Sequence, residues 1–226
     1  MYIFTNINLL LLTLVLLANV LSANSYAENI RGAVEPTQFQ KAVEYLHQYP
    51  FEKLKLNAVP FCYRYTCRAR ETIQIPKMEW ERATQALKER SGSAQMERAL
   101  LSEVISRVEL IVARITATQY DIGGTFKVDA EPKVYSAQLD CVDEAFNMHM
   151  YLHLLNNENK LHWHRVGELV HRGWLVDLSY PHTALTIIEN GSDEQFVVDS
   201  WFHDSGRPPE VISLQQWKSG WTPADF

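Results

Sequence analysis

The residues best suited to chemistry lie in one short run, Gln138-Leu139-Asp140-Cys141-Val142-Asp143-Glu144-Ala145. Asp140 is a natural helix N-cap, and Asp143 and Glu144 are first-turn acids, which makes Cys141 the first or second helical residue. Open amide hydrogens and the positive end of a helix dipole stabilise a thiolate there, lowering its pKa and raising the population of the nucleophile. The three carboxylates oppose this, so a thiolate at this position needs a cationic partner. Cys141 also falls on an apolar stripe with Ala145, Met148, Leu152 and Leu155, where a cysteine is simply a small buried side chain. Position alone leaves nucleophile and core residue both open.

A base and an orienter follow further along the chain. His182 opens the apolar run 183–188, Asp199 closes Phe196-Val197-Val198, and Asn190-Gly191 stands between the two runs. If Asn190-Gly191 is a two-residue type I′ turn, His182 lies directly opposite Asp199 with both side chains on one face. A cysteine at a helix start, a histidine on a strand and an aspartate on the next strand supply nucleophile, base and orienter. A longer loop, built on Gly191 to Glu194, would slide Asp199 along its neighbour.

These runs, Leu139 to Ala145, His182 at a strand start, and Val197-Val198-Asp199-Ser200, resemble the bacterial transglutaminase-like cysteine proteinases, part of the transglutaminase-like and papain-like group. The resemblance covers residues 138–201, with a fainter echo in the long helix before Gly123-Gly124; otherwise Glu28 to Tyr120 is not recognisable in it. It implies Cys141 as nucleophile, His182 as base and Asp199 as orienter, with a protein or peptide substrate cleaved or transferred through a thioester. It also implies calcium held by carboxylates around the cysteine: Asp140 and Asp143 match, but Val142 stands where those proteins carry an acid. The backbone amide of Cys141 is the natural oxyanion donor. The Gln138 side chain is a second donor or, alternatively, a plain loop residue.

Other residues have competing readings. His149 and His153 are spaced four apart, as two metal-binding imidazoles on one helix face are, but a half-exposed face explains them better; no metal site is assigned. Trp163, Trp174, Trp201, Trp217 and Trp221 read as core and rim aromatics, with Trp201 and Phe202 placed to wall a cleft. His47 reads as a surface residue. Cys62 and Cys67 can close a small disulfide loop in an oxidising compartment or stay as two buried thiols; if they pair, Cys141 is the remaining cysteine.

The elements that must position these groups read as follows. Helices are expected at Pro36 to Tyr49, Met78 to Arg90 and Ala94 to Thr118, the last with a stripe of Leu100, Val104, Val108, Ile111 and Ile115 and with its charged groups on a solvated face. Ala58 to Ile75 reads as extended chain with a tight turn. Irregular chain follows Asp121 to about Gln138. A helix from Cys141 to about Leu155 precedes strands at His164 to Val170, Trp174 to Leu178, Thr183 to Ile188 and Phe196 to Trp201, with a last one at Val211 to Leu214. Connections this short join antiparallel strands. The fold class is therefore α+β: N-terminal helices, then a helix packed on an antiparallel sheet, the core implied by the resemblance.

The 226 residues carry 21 basic and 27 acidic side chains, and none of these lies in the first 27 residues. That start, with an apolar core at Leu9 to Leu17 and small residues at Ser25 and Ala27, reads as a signal peptide over 1–27, or less readily as an uncleaved anchor. The remainder divides into a mainly helical portion, 28–137, of net charge +2 and an α+β portion, 138–226, of net charge −8. An acidic surface repels phosphate backbones, so nucleic acid is not an expected partner. The expected protein is periplasmic or secreted, with no stable membrane span after cleavage: a cysteine hydrolase or acyltransferase, or alternatively a non-enzymatic envelope-binding module on the same fold. A hydrolase using a metal on His149 and His153 is a third reading.

Overall fold

The computed structural model describes residues 37–125, 137–173, 182–224 and 226. The leader expected over 1–27, Trp174 and the strand expected at Trp174 to Leu178 lie outside these. Local signals set the helix boundaries. Helix α1 (Gln38–Gln48) stops ahead of Pro50, which disfavours helical geometry in the residue before it. Helix α2 (Lys77–Arg90) starts after Pro76. Helix α3 (Ala94–Thr116) is capped by the Ser93 hydroxyl, which accepts from the Met96 N–H at 3.2 Å, and ends on Ala117 in the left-handed region. Helix α4 (Cys141–Asn157) starts on Asp140, and a short α5 (Leu214–Lys218) starts on Ser213.

The expected stripe of α3 is buried except for Ile115, which lies in the last turn and is 41% exposed. Nor is the helix's charge all solvated. Glu97 is 0% exposed and accepts from the backbone N–H groups of His162, Trp163 and His164 and from the His164 ring. One buried carboxylate thus collects four donors and fixes the entry into the sheet, an arrangement that hydrogen bonding makes tolerable.

Two antiparallel sheets complete the fold. The first is the hairpin β1 (Val59–Tyr63) and β2 (Ala69–Ile73). The second, in the order β3-β4-β5-β6, comprises β3 (His164–Arg172), β4 (His182–Glu189), β5 (Gln195–Asp199) and β6 (Glu210–Ser213). Helix α4 is buried almost all round, with Asp143, Asn147 and His149 among its buried residues. Its side chains Phe146, Met150, Leu152 and Leu155 share one core with Leu185, Ile187, Phe196 and Val198 of the large sheet, and with Val59 and Phe61 of the hairpin. The portions before and after Gln138 therefore meet in a common core, and residues 38–226 form one compact unit. The α+β class, with helix and antiparallel sheet, is as expected.

The β4–β5 turn differs from the two-residue type expected. Leu185 pairs with Val198 and Ile188 with Gln195, so the register is displaced by two residues from the one that puts His182 directly opposite Asp199. A longer loop causes this: the Glu189 N–H donates to the Glu194 carbonyl, with Gly191 and Asp193 at positive φ in between. A slip of two keeps every side chain on its original face.

Candidate active site

The Asp140 side chain accepts from the N–H groups of Val142 and Asp143, while Asp143 accepts from the Asp140 N–H, a reciprocal capping box that fixes Cys141 as the first residue of α4. His182, at the start of β4, and Asp199, at the end of β5, meet diagonally: Nε2 lies 2.6 Å from Asp199 Oδ2. With its Nε2–H directed at a carboxylate, a neutral His182 carries its lone pair on Nδ1, which is buried and has no hydrogen-bond partner among the described residues. The N–H of Thr183, next in chain to His182, faces the Cys141 sulfur. Trp201 and Phe202 pack on Cys141 and on the His182 ring, with ring centroids 4.5 and 5.3 Å from the imidazole. Three elements thus bring the cysteine and the His–Asp pair into one apolar enclosure.

The thiol does not have the low pKa that its helix position suggested. Burial, then the charge of Asp140, push it up to about 12; the Thr183 N–H opposes this, and Asp199 and Asp143 add to it. Cys141 is 5% exposed. A helix dipole contributes only about 0.3–1 kcal/mol to a charge at its end, too little to offset desolvation beside three carboxylates. At rest Cys141 is a neutral thiol.

The carboxylates around Cys141 have structural partners. Asp140 Oδ2 accepts from the Thr66 hydroxyl at 3.0 Å and Asp143 Oδ1 from the Cys67 N–H at 2.7 Å. Asp143 is fully buried, and burial followed by the charge of Asp140 raises its pKa. Calcium takes an open set of six to eight oxygens; two carboxylates turned onto N–H and O–H donors, with Val142 between them, do not fit it. Gln138 acts as a clamp: its Oε1 accepts from the Ile122 N–H at 3.1 Å and its Nε2 donates to the Tyr120 carbonyl at 2.8 Å. The second oxyanion donor considered for it is held on that turn.

Several contributors have no local sequence signal. Trp217, fully buried, donates its indole N–H to Asp199 Oδ2 at 2.7 Å. Arg172 lies over the Trp217 ring, 4.6 Å from its centroid, and donates to the carbonyls of Trp217 and Trp221. Behind α4, the Ser200 hydroxyl donates to Glu144 at 2.8 Å, and Glu109 and Asp121 lie close to Glu144. Burial raises all three carboxyls, Glu144 to about 7 and Asp121 to about 9, with mutual repulsion adding to Glu109 and Asp121 and the Ser200 hydroxyl opposing the rise at Glu144. Oε1 of Glu109 is buried without a partner among the described residues.

His149 and His153 lie elsewhere, on the α4 face covered by Phe51, whose ring stacks on His153 at 3.8 Å. This face is more enclosed than expected, and burial lowers the pKa of His149 to about 3 and of His153 to about 4. Among the described residues no group of three or more His, Cys, Asp or Glu side chains is placed to hold a metal ion. Cys62 and Cys67 are joined by a disulfide. Among the described residues no helix is long and apolar enough to cross a membrane. No protein-family model, curated protein or solved structure matches the chain.

Proposed function

We propose that Cys141, His182 and Asp199 form a cysteine acyl-transfer site of the transglutaminase-like kind, acting on a peptide or amide bond through a Cys141 thioester. The observation that carries this reading is the His182–Asp199 pair at 2.6 Å, with Nδ1 of His182 left without a partner in the enclosure that also holds the Cys141 sulfur. The chemistry follows from the resting state. The Cys141 thiol is neutral, so the nucleophile arises when the thiol proton passes to His182 Nδ1 as sulfur attacks the carbonyl carbon. Asp199 holds the ring and stabilises the imidazolium, which returns the proton to the leaving nitrogen. Water or an amine then attacks the thioester carbonyl, His182 accepts that attacker's proton, and the thiolate departs and is reprotonated. The apolar, uncharged start of the chain and the Cys62–Cys67 bond support a periplasmic or secreted setting.

The test is acetylation by p-nitrophenyl acetate, a small generic acyl donor. The expected product is an acetyl group on Cys141, located by mass spectrometry, with His182→Ala slowing its formation about 100-fold as for loss of a general base. Acetylation at other residues only, or a rate indifferent to His182, would overturn the reading. A specific observation favours a second reading, a non-enzymatic binding module: Cys141 is 5% exposed, beneath Trp201 and Phe202. That reading expects no acetyl-Cys141 at any donor concentration while the fold stays intact.

A further inference from the structure

The turn that joins β1 to β2 is unusual in its backbone and in what it touches. Four successive non-glycine residues, Arg64, Tyr65, Thr66 and Cys67, have φ between 54° and 70°. The left-handed region is disfavoured for residues with a Cβ, and such outliers persist only where surrounding structure holds them. Here the Cys62–Cys67 bond closes the turn from within, and the start of α4 holds it from outside. The Cys67 and Tyr65 backbone N–H groups are directed at the Asp143 carboxylate, the Thr66 hydroxyl at Asp140 and the Arg64 N–H at the Gln138 carbonyl. Asn147, one turn further along α4, bonds both the N–H and the carbonyl of Cys62, at 2.8 and 2.9 Å. Successive N–H groups in a tight turn form an anion-binding concavity, and its occupant is the carboxylate that also closes the capping box beneath Cys141.

We propose that the Cys62–Cys67 disulfide is a redox latch on the first turn of α4. Oxidised, the turn keeps its left-handed shape and holds Asp140 and Asp143, fixing Cys141 against β4. Reduced, it relaxes toward ordinary backbone angles, its N–H groups leave Asp143, and the first turn of the helix loosens. Cys67 is the partly exposed half of the bridge and Cys62 the buried half. The reductant is a dithiol: its thiolate attacks the Cys67 sulfur, Cys62 leaves as a thiolate and takes up a proton. The second thiol of the reductant then displaces Cys67 from the mixed disulfide. Two electrons and two protons pass to the protein, and the dithiol becomes a disulfide. The effect on chemistry rests on the reading of Cys141 as nucleophile; the loosening does not.

The test compares the full-length oxidised protein with the C62S/C67S double variant by amide hydrogen exchange. The latch expects the Val142 and Asp143 amides to exchange at least about fivefold faster in the variant, the scale of a weakened cap, while protection from Met150 to Leu154 is retained. Unchanged first-turn exchange would overturn it, and so would loss of protection along the whole helix, which would make the bond a general staple. If the double variant does not fold, the parent protein reduced with excess dithiothreitol, in which the same bond is opened without a substitution, gives the same readout. In parallel, the ratio of p-nitrophenyl acetate acetylation rates with and without His182 falls to near one in the C62S/C67S background; a ratio that stays as high as in the oxidised protein would overturn the latch. A ratio of one already in the oxidised protein sinks the proposed function instead, and hydrogen exchange still decides the latch.

Discussion

The indole N–H of Trp217 donates to the same oxygen of Asp199, Oδ2, that the His182 ring engages, at 2.7 Å against 2.6 Å for the imidazole. Asp199 is held from two sides, and its geometry toward His182 depends on a tryptophan 18 residues further along the chain.

Trp217→Phe keeps most of the packing volume and deletes one donor to a buried acceptor. The expected loss of stability is about 1.5–3 kcal/mol, the range for hydrogen bonds to charged groups, measured by urea denaturation. A variant as stable as the parent would show that the indole N–H contributes nothing to Asp199.

On the proposed reading His182→Ala removes the assisted route, and alkylation of Cys141 by iodoacetamide follows the thiolate population alone. With the thiol pushed up to about 12, the rate is expected to rise about tenfold per pH unit from pH 7 to pH 10, with no plateau. A plateau near pH 8 would contradict the burial of Cys141 described above.

The acidic cluster behind α4 gives stability a definite slope. Folded-state pKa values of Glu109, Asp121 and Glu144 are raised, the latter two to about 9 and about 7. The unfolded chain therefore releases these protons first. Their favourable contribution is fully present below the ordinary carboxylate range and declines as pH rises through 7 to 9. Each proton involved changes stability by about 1.4 kcal/mol per pH unit. Stability is expected to fall between pH 6.5 and pH 8.5, and Glu109→Gln, which removes one charge without removing volume, to flatten that fall. Parallel stability curves for the two proteins would show that Glu109 is already ionised in the folded protein in this range.

His149 and His153 act at the other end of the pH scale. Burial holds both below their ordinary value, at about 3 and about 4, so the unfolded chain takes up protons first as pH falls below 6.5. Their contribution to stability is present above pH 6.5 and is lost toward pH 4. Replacing His149 with Phe, beside the Phe51 ring, is expected to reduce the loss between pH 6.5 and pH 4.5 by about 1 kcal/mol or more. Thermal unfolding at the two pH values reads it directly.

How far the sequence foretells this arrangement depends on the range of the interaction. Asp140 announces its helix start because a cap acts over three residues. His182 and Asp199 share a face even though the turn between them is longer than expected, because strand alternation survives a slip of two. Tertiary packing hides the rest. Glu97 and Glu109 sit in a helical pattern that reads as solvated, and only the loop at His162 to His164 and the neighbours of Ser200 reveal why each is buried. The thiol pKa likewise follows from Trp201 and Phe202 closing over Cys141, which no local spacing encodes.

The bonds between the disulfide turn and α4 join residues 74 to 85 positions apart. A ribosome therefore makes the residues of the turn well before it makes the carboxylates that occupy it. Contacts of this span form late and slowly. Cutting the chain between the two halves would leave a receptacle without its anion and a helix without its seat, so co-expressed fragments divided at Gln138 must find each other before either attains its native form.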